Sequence, residues 1–207
     1  MRRIFVSTLA CVVALSLCFG SNAAAQPDPD TVYLKNIQYN GSGCPPVSAV
    51  VDLAPDGQAI IVTHAEFIAE LGPGIPISQS RKNCQLNLTL HVPAGFTYAI
   101  GSVDHHVDAC IARGARGMLK QTFYFQGEEP QPSPWRPFTN FVGCDVDWHI
   151  RDEVETAELR WAPCGVERSL NINTQTRIDK GTSSSSASSF MTLEQQTFHL
   201  LWRTCGE

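Results

Sequence analysis

Residues 83–92 have the sequence NCQLNLTLHV, in which polar and apolar side chains alternate at every position. A period of two is typical of a β-strand that buries one face in the core and exposes the other. Residues 170–178, LNINTQTRI, follow the same alternation. These two stretches predict half-buried strands, and therefore a protein built on sheets.

The segments around these two stretches extend the prediction to the rest of the chain. Residues 47–53 and 58–63 flank Pro55-Asp56-Gly57, a pattern typical of a β-hairpin. Four further strands are expected: Phe96–Val103, Met118–Gln126, Thr156–Trp161 and Phe198–Arg203. The sequence shows no long amphipathic helix. We predict an all-β fold, an antiparallel, jelly-roll-like β-sandwich.

The chain begins like an exported protein. Arg2 and Arg3 precede an apolar run, Ile4–Phe19, and the small residues Ala23-Ala24-Ala25 follow it. The run is shorter than the roughly 20 residues that span a bilayer, so we predict a signal peptide at 1–25 and one secreted domain at 26–207. No membrane association is expected after cleavage, and a bacterial source would place the protein in the periplasm or at the cell surface.

The charge balance excludes one class of partner. The formal net charge is −5, and it becomes −7 when Arg2 and Arg3 leave with the signal. An acidic chain with few lysines lacks the positive charge that neutralises phosphates, so no nucleic-acid partner is expected. No cofactor is expected either.

Six cysteines remain after the predicted cleavage, spaced far apart and without a C-x-x-C pair. An even number in an exported chain predicts three disulfides rather than a zinc cluster. Chain order does not decide the connectivity, but pairing of neighbours would join Cys44 to Cys84, Cys110 to Cys144 and Cys164 to Cys205.

Asp104-His105-His106-Val107-Asp108 is the densest group of potential metal ligands. On a strand, Asp104, His106 and Asp108 would share one face, and His105 would join the valines on the other. Ligands from one strand rarely complete a metal site unaided, so a polar strand edge is the preferred interpretation and the three residues are weak metal candidates.

An acidic segment follows at 145–158, with six carboxylates. A glycoside hydrolase needs two carboxyl groups facing each other across the substrate, and this segment offers several pairs. A solvated strand edge is the commoner use of such residues. The G-x-S-x-G and H-E-x-x-H motifs of other hydrolases are absent from the sequence.

Aromatic residues flank the proline-rich segment 130–137. Trp135, Phe138, Phe141 and Trp148 lie close in sequence to this segment and to the acidic one. Exposed aromatic rings with polar neighbours are what a sugar-binding platform requires, so Trp135 and Trp148 are candidate ligand-binding residues. The alternative is that the rings close the ends of the sandwich.

Two asparagines lie in N-glycosylation motifs. In a eukaryotic source, Asn40 and Asn87 would be N-glycosylation acceptors.

Several motifs resemble a secreted fungal and bacterial family, domain-of-unknown-function family 4360. They are YNGSGCP (39–45), LGPG (71–74), SRKNCQLNL (80–88), WAPCG (161–165), LNIN (170–173) and LWRTC (201–205). The resemblance implies a small, secreted, disulfide-bonded β protein and no particular activity. Cys110 and Cys144 lie outside these motifs, which favours a bond between them. The family tends to have a tyrosine-rich segment where this chain has Asp104–Asp108.

The sequence therefore leads to three hypotheses. The first is a non-enzymatic secreted domain that binds extracellular or cell-wall polysaccharide. The second is a secreted polysaccharide hydrolase that uses the acidic segment. The third is an effector or structural protein that binds another extracellular protein through the proline-rich loop.

Overall fold

A computed structural model describes residues 25–130, 133, 135–138, 144 and 147–206. The predicted signal peptide lies outside the described residues, except for Ala25. Within the described parts of the chain, no helix has the length and apolar character needed to cross a bilayer.

The described residues form eleven strands in two antiparallel sheets. In chain order they are β1 (Tyr33–Asn40), β2 (Ala49–Leu53), β3 (Ala59–His64), β4 (Ile68–Leu71), β5 (Arg81–His91), β6 (Phe96–Cys110), β7 (Arg116–Phe125), β8 (Arg136–Phe138), β9 (Asp147–Glu153), β10 (Leu170–Asp179) and β11 (Ser189–Thr204). Sheet A has the order β1-β5-β10-β7-β8, and sheet B has the order β2-β3-β11-β6-β9, with β4 also paired to β11. The predicted all-β, disulfide-stapled sandwich is confirmed.

Most of the predicted strands are present. The predicted hairpin is the β2–β3 pair, and residues 83–92 and 170–178 lie almost entirely within β5 and β10. The strand predicted at Thr156–Trp161 is wrong: Thr156–Glu158 form a single 3-10 turn, and only Trp161 makes an isolated bridge, to Ala99. The turn residues are exposed, and among the described residues the segment pairs with a neighbouring strand only through the Trp161 bridge, so no ladder holds it extended.

The inner faces of the two sheets form the core in two clusters. The larger cluster joins Leu86 and Leu88 of sheet A to Ile60 and Phe198 of sheet B. The smaller one contains Phe67 and lies nearer the opposite ends of the same strands.

A polar layer separates the two clusters. On β7, Gln121 lies between Phe123 of the larger cluster and Leu119 of the smaller one. On β6, His105 lies between Val103 and Val107 in the same way. Thr174 on β10 and Gln196 on β11 likewise lie between residues of the larger cluster and residues of the smaller one. Polar side chains from both sheets therefore meet inside the sandwich.

Gln196 is the centre of this layer. Its Nε2 donates to Oε1 of Gln121 at 2.5 Å and lies 3.0 Å from Nδ1 of His105. Its Oε1 accepts from Thr174 Oγ1 at 2.9 Å and lies 3.4 Å from Nε2 of His64. Burial lowers the pKa of both His64 and His105 to about 4, so both are neutral at pH 7, and one ring nitrogen of each contacts the Gln196 side chain.

Three disulfides hold the ends of the strands: Cys44–Cys84, Cys110–Cys144 and Cys164–Cys205. This is the pairing of neighbours along the chain. Cys84 lies in β5, whereas Cys110 ends β6 and Cys144 precedes β9. The second bond therefore ties the start of an edge strand of sheet B to the strand beside it.

Candidate functional site

The outer face of sheet A carries a continuous array of amide side chains. In β5 and β10, leucine and isoleucine point into the core, and the alternate positions point outwards. The polar half of each alternation is mostly asparagine or glutamine, so the two central strands present amides rather than charges.

Strand register places these amides beside one another. Cross-strand pairing aligns the outward side chains in three rows: Gln38, Asn87, Asn171 and Tyr124; Asn40, Gln85, Asn173 and Thr122; and Asn83, Gln175 and Lys120. Eight of these eleven side chains are amides. We call this surface the amide face.

Hydrogen bonds orient several of the amides. Asn87 Nδ2 donates to Oδ1 of Asn171 at 2.9 Å, and Gln175 Nε2 donates to Oδ1 of Asn173 at 3.0 Å. Ser42 Oγ donates to Oδ1 of Asn83 at 3.1 Å. A side-chain amide has two N–H donors and an oxygen with two lone pairs, so each of these groups retains further hydrogen-bonding capacity.

Trp135 lies at one end of the amide face. Its side chain is 37% exposed, and it lines a depression of about 340 Å³ together with Asn83, Asn173 and Gln175. A second depression of about 450 Å³ is lined by Gln38, Asn40, Gln85 and Asn87, and it also includes Asn83. Asn83 lines both depressions, so they lie next to each other on the face.

Charged groups lie at the two ends of the amide face. Arg81 and Arg177 are paired across β5 and β10 in the row next to Asn83, and both line the depression with Trp135. At the other end, Glu167 accepts hydrogen bonds from Lys35 and His91, and these contacts lower the pKa of its carboxyl group. Tyr33, which is 50% exposed, stacks on His91 at 4.5 Å.

Trp148 does not share this surface. It lies on β9 in sheet B, is half-buried, and packs against the smaller core cluster together with Ile150. Trp135 precedes β8 in sheet A, so the two tryptophans predicted as ligand-binding residues belong to different sheets. Phe141, the side chain of Phe138 and residues 131, 132 and 134 of the proline-rich segment lie outside the described residues.

The weak metal candidates lie on the outer face of sheet B. Asp104, His106 and Asp108 share the half-buried face of β6, as the alternation predicts, and His105 points into the core. Asp104 contacts Nε2 of His199 at 2.6 Å and the guanidinium of Arg151 at 3.2 Å. The group of potential metal ligands whose atoms lie within 4.8 Å of one another is instead His106 with Asp147 and His149.

The acidic segment is divided by the fold. Asp147 points outwards beside His106, whereas Asp152, Glu153, Glu155 and Glu158 line a cleft of about 430 Å³ between the sheets. Asp152 contacts the guanidinium of Arg136 and lies 3.3 Å from Nε2 of His105. The described carboxylates of the acidic segment therefore lie away from the amide face, and Asp145 lies outside the described residues.

Both sequons are on the amide face. Asn40 is exposed at the end of β1. Asn87 lies in the middle of the sheet, where its Nδ2, the atom that would carry a glycan, donates to Asn171.

The sequence did not single out the other amides of this face. It predicted five of them only as solvent-facing: Asn171, Asn173, Gln175, Asn83 and Gln85. One feature of the sequence could have indicated this face. The polar positions of residues 83–87 and 171–175 are repeatedly asparagine or glutamine, whereas solvated strand faces commonly carry lysine, glutamate and threonine.

Comparison with known proteins gives two similarities. The chain is 34% identical over 194 residues to an uncharacterized secreted protein of the fungus Arthroderma benhamiae, an alignment covering 90% of this chain and 76% of the relative. Among solved structures, it is similar to TmCBM61 in complex with beta-1,4-galactotriose, with a TM-score of 0.29 and 14% identity over 80% of this chain and 88% of that one. A TM-score at this level establishes neither a common fold nor a common ligand.

The model of the family named domain of unknown function DUF4360 matches residues 30–205. This match covers all eleven strands and all six cysteines of the three disulfides. The resemblance inferred from the motifs is confirmed, and the chain belongs to the DUF4360 family.

Proposed function

We propose that this protein is a secreted, non-catalytic domain that binds a neutral polysaccharide on the amide face. In this proposal residues 1–25 are removed on export, and 26–207 act as one domain outside the cell. The secreted fungal relative and the three disulfides are consistent with that location.

The observation that carries the proposal is the rows of amides beside the exposed indole of Trp135. Sugar hydroxyls both donate and accept hydrogen bonds, and an amide offers both functions within one side chain. The apolar face of a sugar ring packs well on an aromatic ring. Neither feature requires a charged ligand.

The shape of the face favours an extended ligand. Outward residues from Arg81 to His91 span roughly 30 Å along β5. The two depressions are neighbours that share Asn83, so one extended sugar chain lying along β5 would pass over both. The rows that contain Asn87 and Gln85 have no charged side chain, and this part of the face favours a neutral polymer such as a glucan or chitin over an acidic one.

The proposal is tested by incubating the purified protein with insoluble chitin, β-glucan, cellulose and peptidoglycan and assaying the pellet for protein. Saturable retention is expected on at least one neutral polymer. Trp135→Ala should weaken it about tenfold, because the stacking surface is lost. Phe190→Ala, at an aromatic residue of sheet B that is 40% exposed, is the matched control and should bind like the wild type.

The amides are tested separately from the aromatic ring. The double variant Asn173→Ala/Gln175→Ala should also weaken retention, because it removes two neighbours of Trp135 in the same depression. Gln195→Ala is the control, since Gln195 lies on β11 of sheet B and donates to Thr197 there. Wild-type retention by both amide-face variants would rule out this surface as the binding site.

A second candidate function, polysaccharide hydrolysis, is favoured by the four carboxylates that line the cleft. Glycosidases act through a pair of carboxyl groups on either side of the scissile bond. The same incubation distinguishes the two functions: release of soluble sugar that disappears in Glu155→Gln/Glu158→Gln would establish the hydrolase. Neither retention nor release would leave an extracellular protein as the partner.

A further inference from the structure

Two histidines face each other on the outer surface of sheet B. His106 on β6 and His149 on β9 are directly paired across the two strands, and their rings stack with centroids 4.5 Å apart and planes 21° from parallel. Cross-strand neighbours on one face are among the closest side-chain pairs in a sheet. Register alone therefore brings two imidazoles together at an accessible surface.

Asp147 adds a carboxylate to this pair. It lies two residues before His149 and so projects from the same face of β9. One of its oxygens, Oδ1, contacts Nε2 of His106 and lies 3.6 Å from Nε2 of His149. The three potential ligand atoms all lie within 4.8 Å of one another.

These separations are close to those of a metal site. Ligand atoms about 2.0–2.1 Å from a tetrahedral ion lie about 3.3 Å from one another. The side chains of Asp147 and His149 are 63% and 75% exposed, so small rotamer changes would complete the geometry without disturbing the core.

A second carboxylate lies beside His106. A register shift in β11 between Leu193 and Gln195 places Glu194 beside the same face, with its Oε2 3.5 Å from Nδ1 of His106. At this distance the two groups are in ionic contact, and a slightly closer approach would let the carboxylate accept from Nδ1 and leave Nε2 to a metal, an arrangement that recurs behind metal-binding histidines. This contact is independent of the three ligand atoms and points to the same function.

We propose that His106, Asp147 and His149 bind a divalent first-row transition-metal ion, with zinc as the natural occupant. Two imidazole nitrogens and one carboxylate oxygen suit zinc, whereas calcium and magnesium prefer sites made entirely of oxygen. Three protein ligands leave one coordination position for water. The ion would join the edge strand β9 to β6, close to the Cys110–Cys144 bond.

The test uses the untagged secreted chain after dialysis against EDTA. Calorimetric titration with Zn²⁺ should give one ion per chain. His149→Ala should weaken binding by at least about 100-fold, and Glu194→Gln by about tenfold, as expected for a group that orients a ligand. His91→Ala is the matched control, because His91 is also a half-exposed histidine paired with a glutamate, but it lies in sheet A.

A second measurement reports on the ligands themselves. Cu²⁺ added in place of zinc should give an electron paramagnetic resonance spectrum with coupling to two nitrogens in the wild type and to one in His149→Ala. Far-UV circular dichroism checks that the variants are folded. The proposal is overturned if the wild type shows no saturable zinc binding in the titration, or if His149→Ala binds zinc as the wild type does.

Discussion

Gly41 has a φ angle of 151°, and its α-carbon lies against the backbone of β5. A Cβ atom at this position would overlap the carbonyl oxygen of Asn83, which accepts a hydrogen bond from the N–H of Gly43. The glycine is needed for two reasons: the backbone angle disfavours an L side chain, and no space exists for one. This contact positions Ser42 against Asn83 of the amide face.

Gly41→Ala should therefore lower the free energy of unfolding by about 2 to 4 kcal/mol, because backbone must move as well as adopt a strained angle. Gly74→Ala is the matched control: Gly74 also has a positive φ, 78°, but no atom would lie within 4 Å of the added carbon. Strain alone should cost about 1 kcal/mol there. Urea unfolding of both variants measures the difference, and equal losses would contradict the steric explanation.

His64 predicts a dependence of stability on pH. Burial lowers its pKa from the ordinary value of 6.5 to about 4, an effect that the contact with Gln196 partly opposes. Above pH 6.5 the histidine is neutral in both the folded and the unfolded chain. As the pH falls from 6.5 towards 4, the unfolded chain binds a proton that the folded chain excludes, so stability is lost across this window.

At pH 5 this effect should remove about 2 kcal/mol of stability relative to pH 7. His64→Gln, which keeps a polar group near Gln196, should lose about 2 kcal/mol less on the same acidification. Urea unfolding at pH 7, 6 and 5 tests this expectation. If wild type and variant show parallel pH profiles, His64 does not titrate in the way its burial requires.

At the scale of elements, β9 depends on neighbours that are distant in the sequence. It is an edge strand that pairs only with β6 among the described strands, and the Cys110–Cys144 bond joins its start to the end of that strand. Its inward residues, Trp148 and Ile150, pack on the smaller core cluster. The disulfide and this packing together hold His149 opposite His106.

Cys110→Ser/Cys144→Ser should reduce the free energy of unfolding by about 2 to 4 kcal/mol, since a cross-link over 34 residues restricts the unfolded chain. The same variant should bind zinc more weakly, because β9 is less firmly placed. Retention on polysaccharide should be unchanged, since the amide face belongs to sheet A. Unfolding and zinc titration measure the first two effects, and unaltered zinc affinity would show that packing alone positions β9.

At the scale of the whole molecule, the two sheets present different chemistry on their outer faces. Sheet A has rows of uncharged amides with Trp135 at one end, and sheet B has histidines and carboxylates on β6, β9 and β11. The core separates the two faces, and the contact between Arg136 of β8 and Asp152 of β9 lies in the cleft rather than on either outer face. They should therefore act independently.

This independence is tested with Trp135→Ala, His149→Ala and the double variant. Trp135→Ala should lose polysaccharide retention and keep zinc binding, and His149→Ala should do the reverse. The double variant should show the sum of the two effects in free energy, because distant sites without shared partners are additive. A polysaccharide affinity that changes when zinc is added would contradict independence and indicate coupling through the core.

Local patterns predicted much of the architecture. The alternation in residues 83–92 and 170–178 indicated β5 and β10, and the Pro55-Asp56-Gly57 turn indicated the β2–β3 hairpin. The prediction at Thr156–Trp161 was wrong, and β9 was not predicted as a strand. Short edge segments carry weak periodicity, and their structure depends on whether a neighbouring strand offers hydrogen-bond partners.

The sequence by itself determined the all-β class, the number of disulfides and which face of each central strand is polar, and the signal peptide at 1–25 stays a prediction. These properties depend on side chains a few residues apart, and a period of two is visible within one strand. Only the tertiary structure decided which strands are neighbours. It aligned amides from β1, β5 and β10 into rows and placed Trp135 and Trp148 on different sheets. It also placed Asp147 and His149 beside His106, where the sequence had suggested Asp104 and Asp108. Register between strands distant in the chain is set by packing of the whole core, which no local pattern contains.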